Sequence, residues 1–314
     1  MRDFDPHRWT HPATILVATD LTDLDHLMPF AMEQASETSA HLILIHVVPA
    51  SAAITADAAG MPYYDTAGAL DISEQMLWPW CELVKRRGIP CDTLLREGNP
   101  TEQIAAAIRQ FQADRVLLGT RSRSKIGKLL IGSVAEQVLR LVHLPVMTVG
   151  PEAHLPVPKD ADRVVLHATT LRETSRPSAA LACQIAAVQK AKLVLLHVQP
   201  PISEMQHRGL KTGPDSDVVH ELELLAFETG ATCCAEVEPV VVHGNPAIEI
   251  LALAQERHAS LILLGATDRS AFENLTRDRT VYRVLAHARC PVLTLREPHA
   301  VPEHVHSVLA ETHR

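Results

Sequence analysis

The sequence predicts an α/β protein made of two doubly wound domains, each with a five-stranded parallel sheet. Short apolar runs rich in Val, Ile and Leu alternate with stretches of helical period, which is typical of parallel strands buried on both faces. The same pattern occurs twice along the 314 residues, a length that suits two domains of about 150 residues each.

The two copies match each other at five places, which indicates an internal repeat. In the first match, Ile15-Leu-Val-Ala-Thr-Asp20 aligns with Val164-Val-Leu-His-Ala-Thr169, so that Thr169 takes the position of Asp20. Residues 42–49 align with residues 193–200, each run holding one histidine. The remaining matches join Gly98-Asn-Pro100 to Gly244-Asn-Pro246, Val116-Leu-Leu-Gly119 to Ile262-Leu-Leu-Gly265, and Leu144-Pro-Val-Met-Thr-Val149 to Cys290-Pro-Val-Leu-Thr-Leu295.

Each copy is predicted to run strand, helix, strand, loop, helix, strand, helix, strand, helix, strand, with the sheet order 3-2-1-4-5. The third strands are expected near residues 92–96 and 236–242. Asn99, Pro100 and Glu102 form a helix start signal, since an asparagine caps well and proline fits the first helical position. The apolar positions of the first three helices are Leu27, Phe30, Ala31, Ala35 and Thr38; Leu70, Met76, Leu77, Trp80, Leu83 and Val84; and Ile104, Ala107, Ile108 and Phe111.

These patterns divide the chain into a first domain, residues 1–150, and a second domain, residues 163–296. A linker with three prolines covers residues 151–162, and residues 297–314 are expected to be an exposed tail. The last strands, residues 146–149 and 292–295, are apolar and would aggregate if exposed as sheet edges. Together with the family resemblance given below, which implies pairing through this strand, these edges lead us to expect an intrachain pseudo-dimer, with further dimerisation into a homo-oligomer.

Composition excludes several classes of protein. The chain has 29 basic against 37 acidic residues and a net charge of −8, which argues against nucleic acid or an acidic membrane as a partner. The apolar runs fall well short of the roughly 18 residues of a membrane-spanning helix, and the first residues lack a signal peptide pattern. We expect a cytoplasmic protein whose six cysteines, without CxxC spacing, are buried thiols.

A ligand site is expected where the strand order reverses, at the carboxyl ends of the first and fourth strands. These strands end near Asp20 and Gly119. The segment that follows Gly119 holds four positive charges and no acid between Arg121 and Lys128. This position and this charge favour an anionic ligand.

The last helix of the first domain is predicted to begin at Gly132 and Ser133. Bare backbone amides at a helix start bind phosphate well. The same residues would also fit a capping box between Ser133 and Glu136, or a tight turn that requires glycine at position 132. The residues alone leave both interpretations open.

Catalytic motifs are missing from the sequence. It contains no Walker A segment, no strand-linked G-x-G-x-x-G, no G-x-S-x-G, no H-E-x-x-H and no zinc-type cysteine spacing. His46 and His197 lie within apolar strands, where a hydrogen-bonded core histidine is the expected role. Binding is therefore favoured over catalysis, and no metal site is expected from protein side chains.

Three segments taken together resemble the universal stress protein family. They are Ile15-Leu-Val-Ala-Thr-Asp20, Leu44-Ile-His46-Val47 and Gly119-x-x-Ser122-x9-Gly132-Ser133-Val134, the last being similar to the family's nucleotide motif G-x-x-G-x9-G-S/T. The resemblance covers nearly the whole chain twice. It implies a tandem member with two domains of the adenine nucleotide alpha hydrolase-like fold.

The resemblance implies that an adenosine nucleotide, usually ATP and with Mg²⁺ in some cases, lies across the first and fourth strands. Ala18, Asp20, Val47 and Leu118 would line the adenine and ribose, although Asp20 also suits a cap of the following turn. The residues implied around the phosphates and ribose are Gly119, Arg121, Ser122, Gly132, Ser133 and Val134. Ser122 departs from the motif's second glycine, which narrows the loop.

The second copy departs further from the motif. Asp268 takes the second glycine position, and Asp278-Arg279 replace Gly-Ser, so a carboxylate would repel phosphate. The segment from Asp268 to Arg279 holds three acids and three bases. With Thr169 in place of the first-strand aspartate, this copy is expected to have lost ATP binding and to serve as a structural or regulatory partner.

The leading hypothesis is a stress-response regulatory protein that binds ATP or a related adenylate in its first domain. Binding would stabilise one arrangement of the domains or recruit a regulatory protein partner. The alternative is an oligomeric interaction scaffold that binds no nucleotide. A third hypothesis is an ATPase, and at most weak ATP hydrolysis is expected.

Overall fold

Ten strands form one continuous sheet in a computed structural model of the chain. The structure describes residues 6–49, 54–56, 62–120, 131–155, 161–201, 215–230, 236–267 and 280–297. No helix in these ranges combines the length and the apolar character that a membrane crossing requires.

The first domain follows the predicted alternation and adds a short hairpin, β3 with β4, in the predicted loop. Its elements are α1 (Pro6–Thr10), β1 (Thr14–Ala18), α2 (Leu24–Thr38), β2 (His41–Val48), β3 (Ile54–Ala56), β4 (Pro62–Tyr64), α3 (Thr66–Arg86), β5 (Cys91–Glu97), α4 (Pro100–Phe111), β6 (Arg115–Gly119), α5 (Ser133–Leu141) and β7 (Val146–Val149).

The second domain repeats this order from its first strand, without equivalents of α1, β3 and β4 in its described residues. Its elements are β8 (Val164–Ala168), α6 (Arg176–Val188), β9 (Lys192–Gln199), α7 (Asp215–Glu228), β10 (Val237–His243), α8 (Pro246–Glu256), β11 (Leu261–Thr267), α9 (Thr280–His287) and β12 (Val292–Glu297).

The strand order confirms the predicted fold class. The sheet reads β5-β2-β1-β6-β7 in the first domain and β10-β9-β8-β11-β12 in the second, and neighbours within each domain are parallel. Both domains therefore have the order 3-2-1-4-5. Helices cover both faces of the sheet, which is why the strands are continuous apolar runs.

Asparagine residues begin corresponding helices in the two domains. The Asn99 side chain accepts hydrogen bonds from the amides of Thr101 (2.9 Å) and Glu102 (3.3 Å), as the start signal of α4 predicted. Asn245 accepts bonds from the second and third residues of α8 in the same way. The local sequence thus fixes the start of both helices.

The apolar face of α3 is narrower than its sequence predicted. Leu77 and Val84 are fully buried, whereas Met76 is 44% and Leu83 37% exposed. Each exposed residue precedes a buried one, and neighbours on a helix point about 100° apart. Because α3 packs against β5 at the outer end of the sheet, only part of its apolar surface is covered.

The cysteines of the described ranges agree with the sequence prediction. Cys81, Cys91, Cys183 and Cys290 are buried free thiols. Burial raises the pKa of the Cys290 thiol to about 12, so this group stays protonated at neutral pH.

Antiparallel pairing of β7 with β12 joins the two domains, as predicted from their apolar edges. Met147 lies opposite Leu293, with Thr148 opposite Val292. The Thr148 hydroxyl also donates to the Val292 carbonyl at 3.2 Å. Because the two strands run in opposite directions, the carboxyl ends of the two sheets face opposite ways.

A buried ion-pair cluster adds a second contact between the domains. Arg163, which precedes β8, is 4% exposed and donates from Nη2 to Glu33 of α2 at 2.8 Å and from Nη1 to Glu37. Gln189 of the second domain donates to the other oxygen of Glu37 at 3.0 Å. We call these four residues, with β7 and β12, the domain junction.

Replacing Arg163 with methionine is expected to lower the free energy of unfolding by about 3 kcal/mol or more, because two partly buried carboxylates lose their cation. Urea denaturation measures the change. Arg176→Met is the matched control, since Arg176 pairs with two carboxylates at an exposed site where such pairs contribute about 1 kcal/mol or less. Equal losses in the two variants would contradict a buried role for Arg163.

Candidate functional site

A crevice is expected between β1 and β6, where the strand order of the first domain reverses. Ala18, the last residue of β1, pairs with Leu118 of β6 on one side and with Ile45 of β2 on the other. Val47 lies two residues beyond Ile45 and so extends past the end of β1. Ala18, Val47 and Leu118 are buried in one apolar cluster, which forms the floor of the site.

The start of α5 lies directly against the end of β6. The Gly132 amide donates to the Thr120 carbonyl at 2.7 Å, one residue beyond Gly119. Gly132 has φ −62° and ψ 146°, which any residue adopts, and an added Cβ would make an ordinary 3.5 Å contact with that carbonyl. The backbone therefore does not require glycine here, and the tight-turn interpretation is wrong.

The capping-box interpretation is also wrong. Gly132 is the capping residue of α5 and supplies no side-chain bond, while Ser133 is already the first helical residue. Glu136 instead pairs with Arg140 one turn later, at 2.8 Å. The amide of Gly132 is used by Thr120, so the amides of Ser133 and Val134 are the first donors at this helix end. An uncapped helix start favours an anion.

The loop between β1 and α2 forms the other wall. Asp20 is exposed, and its Oδ1 accepts from the amide (2.9 Å) and the hydroxyl (2.7 Å) of Thr22. The predicted cap of a turn is thus present. A carboxylate has further acceptor positions beyond these two bonds, so the same side chain remains able to accept from a ligand hydroxyl.

Asp23 is a half-buried acid in this loop that the sequence patterns did not single out. Its Oδ1 accepts from the Thr19 hydroxyl at 2.5 Å, and Thr19 Oγ1 accepts from the amide of Leu21 at 2.9 Å. Leu21 has φ +73°, so these bonds hold a strained turn. Burial raises the pKa of Asp23 to about 6; the Thr19 bond opposes the shift and the charge of Asp20 adds to it.

The strand histidines take the structural role predicted for them. His46 Nδ1 lies 2.9 Å from the Thr19 carbonyl, and His197 Nδ1 lies 3.0 Å from the Thr169 carbonyl. Each ring fixes the backbone at the end of the first strand of its domain.

The second domain corrects the alignment of the first strands. Thr19 and Thr169 make equivalent bonds to the histidines, and Leu21 and Leu171 share the positive φ that follows. The counterpart of Asp20 is therefore Thr170, not Thr169. A strand buried on both faces shows no alternation, so its sequence does not reveal a shift of one residue.

Several candidate residues fall outside the described ranges. Arg121 and Ser122 of the first domain do so, as does the segment from Asp268 to Arg279 of the second. Of the described candidates, Ala18, Val47 and Leu118 come together on one face, and Gly132 and Ser133 lie at the end of β6. Gly119 and Val134 are half-buried.

Asp23→Asn is expected to raise the free energy of unfolding by ~1–3 kcal/mol at about pH 7, with little change near pH 4. The folded state holds the Asp23 proton more tightly than the unfolded chain, because the folded pKa is about 6 against an ordinary 3.8. The stability that the tightly held proton contributes is therefore lost as the pH rises from 3.8 through about 6.

Urea denaturation across this pH range tests the expectation. Asparagine still accepts from Thr19 but carries no charge. Asp25→Asn, an exposed position in the same turn of α2, is the control and should not reproduce the pH pattern. A loss of stability in Asp23→Asn at neutral pH would show that the charged form is favoured.

Comparison with known proteins identifies relatives that are similar to this chain in sequence. The sequence profile of the Universal stress protein family matches residues 13–150 and 163–296. A universal stress protein from Methanocaldococcus jannaschii is 26% identical over 136 residues, 43% of this chain and 80% of the relative. One from Thermus aquaticus is 32% identical over 139 residues, 43% of this chain and 97% of the relative.

A solved structure shares the two-domain fold. The crystal structure of a universal stress protein from Archaeoglobus fulgidus superposes with a TM-score of 0.70 at 19% identity, covering 90% of this chain and 96% of that chain. The profile match spans both domains and excludes only the ends and the linker. The chain therefore belongs to the universal stress protein family and carries the family's domain twice.

Proposed function

We propose that this chain binds an adenine nucleotide, ATP or a related adenylate, in its first domain and acts in the stress response as a regulatory protein. The observation that carries the proposal is the uncapped start of α5 beside the carboxyl end of β6. The backbone at position 132 does not require glycine, and a residue without a side chain leaves the helix amides uncovered.

The described residues suit the parts of such a ligand. The floor of Ala18, Val47 and Leu118 is apolar and buried, which fits the faces of a purine ring. Asp20 stands at the rim, where its carboxylate accepts from a ribose hydroxyl. The amides of Ser133 and Val134 donate to phosphate oxygens, and the helix dipole adds favourable charge.

The charge of the neighbouring segment supports a phosphate rather than a neutral ligand. Residues 121–128 contain four basic side chains and no acid. Arg121 and Ser122 belong to the proposed phosphate surroundings through their place in the family motif. When the nucleotide is bound with Mg²⁺, the metal screens phosphate charge. Binding is what these residues support, and turnover is kept as a separate hypothesis with its own test.

The second domain is proposed as a partner that no longer binds ATP. Thr170 takes the position of Asp20, and by sequence Asp278 takes the position of Gly132. A regulatory connection is available through α2, which begins beside Asp23 and carries Glu33 and Glu37 to the domain junction. A shift of the ligand loop would move a helix that both domains hold.

Calorimetry with Mg-ATP on the full chain tests the binding proposal. Gly132→Asp is expected to weaken binding at least ~100-fold, because the new carboxylate occupies the helix amides and repels phosphate. The protein should stay folded, since aspartate is a favoured helix cap. Gly132→Ala adds only an ordinary contact, and its affinity should stay within about threefold of the parent.

The other hypotheses have separate outcomes. Absence of binding by the unaltered chain would reject the leading proposal and leave the interaction scaffold. Phosphate release that follows enzyme concentration and is lost in Gly132→Asp would instead support an ATPase. Equal affinity of Gly132→Asp and the parent chain would place the nucleotide elsewhere.

A further inference from the structure

The two domains border a partly open cavity of about 390 Å³ next to the domain junction. Helix α2 and the start of the linker form one side, and the ends of α8 and α9 form the other. Sites for small molecules typically have volumes of ~300–1,000 Å³ and are frequent where domains meet. The size and position of this cavity therefore suit a small ligand.

This cavity is distinct from the candidate nucleotide site. Its second-domain wall includes Arg163, Ser260 and Pro291, which directly precede β8, β11 and β12. It thus lies at the amino ends of those strands, whereas the nucleotide site lies at the carboxyl ends of β1 and β6. None of the eight described candidate residues lines it.

The ionisable side chains around the cavity are mainly basic. Glu33 is the single acid among the described lining residues, and it is paired with Arg163. Cys290 also lines the cavity, and its thiol is protonated at neutral pH. The others are Arg289 and three histidines, His154, His258 and His287. Within the described ranges, none of these four has an ion pair with a carboxylate. The cavity wall therefore offers donors and positive charge to an anion.

Much of the remaining surface is apolar. Phe30 and Met147 of the first domain and Leu261 of the second are buried residues that line the cavity. A bare inorganic ion would leave this surface without a partner. An organic molecule with an apolar body covers it and places its charge at the basic rim.

We propose that this cavity binds a small organic anion that carries an apolar ring, with Arg289 and the neighbouring imidazoles holding the charged group. The linker is attached at this rim, because the His154 amide donates to the Arg289 carbonyl at 2.8 Å. The ligand touches both domains and the linker, and so stabilises their arrangement.

Two of the histidines could stabilise helix ends without contacting a ligand, and substituting them would then give a different result from substituting a ligand contact. His287 ends α9 and His258 follows α8 with φ +50°, positions where basic residues stabilise helix carbonyls. Substitution would then lower thermal stability and leave ligand binding unchanged. Arg289 lies outside both helices, so replacing it tests ligand binding without removing a basic residue from a helix end.

The test uses 8-anilinonaphthalene-1-sulfonate, a fluorescent anion with an aromatic body, titrated into the full chain. We expect one saturable site per chain, weakened about tenfold or more in Arg289→Gln, because a hydrogen bond to a charged group is lost. N-phenyl-1-naphthylamine has the same rings without the sulfonate. It should bind the parent chain more weakly than the sulfonate probe does. Its affinity should be the same for the parent chain and for Arg289→Gln.

Two controls locate the probe. Arg283→Gln removes an exposed arginine of α9 that does not line the cavity, and it should leave the affinity unchanged. Gly132→Asp blocks the nucleotide site and should also bind the probe normally. The proposal is overturned if Arg289→Gln binds the sulfonate as the parent does, if the neutral probe binds equally well, or if Gly132→Asp abolishes binding.

Discussion

The antiparallel pairing of β7 with β12 is the constraint on which the rest of the structure depends. Each of these strands is apolar on both faces and would otherwise end a sheet with unpaired backbone groups. Their pairing turns two five-stranded sheets into one of ten strands. It also fixes the distance between α2 and the second domain, and so permits the buried contacts of Arg163 with Glu33 and Glu37.

The second domain keeps the backbone contacts of the first and differs from it in the side chains of the loop after the first strand. Both copies hold the end of the first strand with a histidine and a threonine, and both begin a helix with asparagine. Threonine at position 170 replaces the acid at position 20. Glu173 takes the position of the half-buried Asp23 and pairs with Arg176 at an exposed site. The residues that hold the loop in place are thus shared by the two domains, whereas its acidic positions are not.

The sequence predicted the fold well because its signals are local and repeated. Apolar runs predicted the strands, Asn99 predicted the start of α4, and the apolar edges indicated the pairing of the domains. The one-residue shift between Asp20 and Thr170 was missed because strands buried on both faces lack alternation. The exposure of Met76 and Leu83 was missed because it depends on how much of α3 the outer strand covers.

The candidate site could be predicted only in part. The motif located Gly132 and Ser133, but the residues alone left a capping box and a tight turn open beside phosphate binding. Backbone angles and the Glu136–Arg140 pair were needed to remove them. Asp23 was missed because its pKa depends on burial and on the Thr19 hydroxyl, neither of which a sequence pattern contains. The cavity beside the junction depends on residues far apart in the chain.

The opposed directions of the two sheets have a consequence for assembly. A protein that recognises the ligand loops of the first domain approaches one margin of the molecule, while the equivalent loops of the second domain open toward the other margin. The two sets of loops therefore form separate surfaces, with the β7–β12 pairing between them. A substitution on one margin therefore leaves the opposite margin unchanged, so the loops of the two halves can diverge in sequence independently.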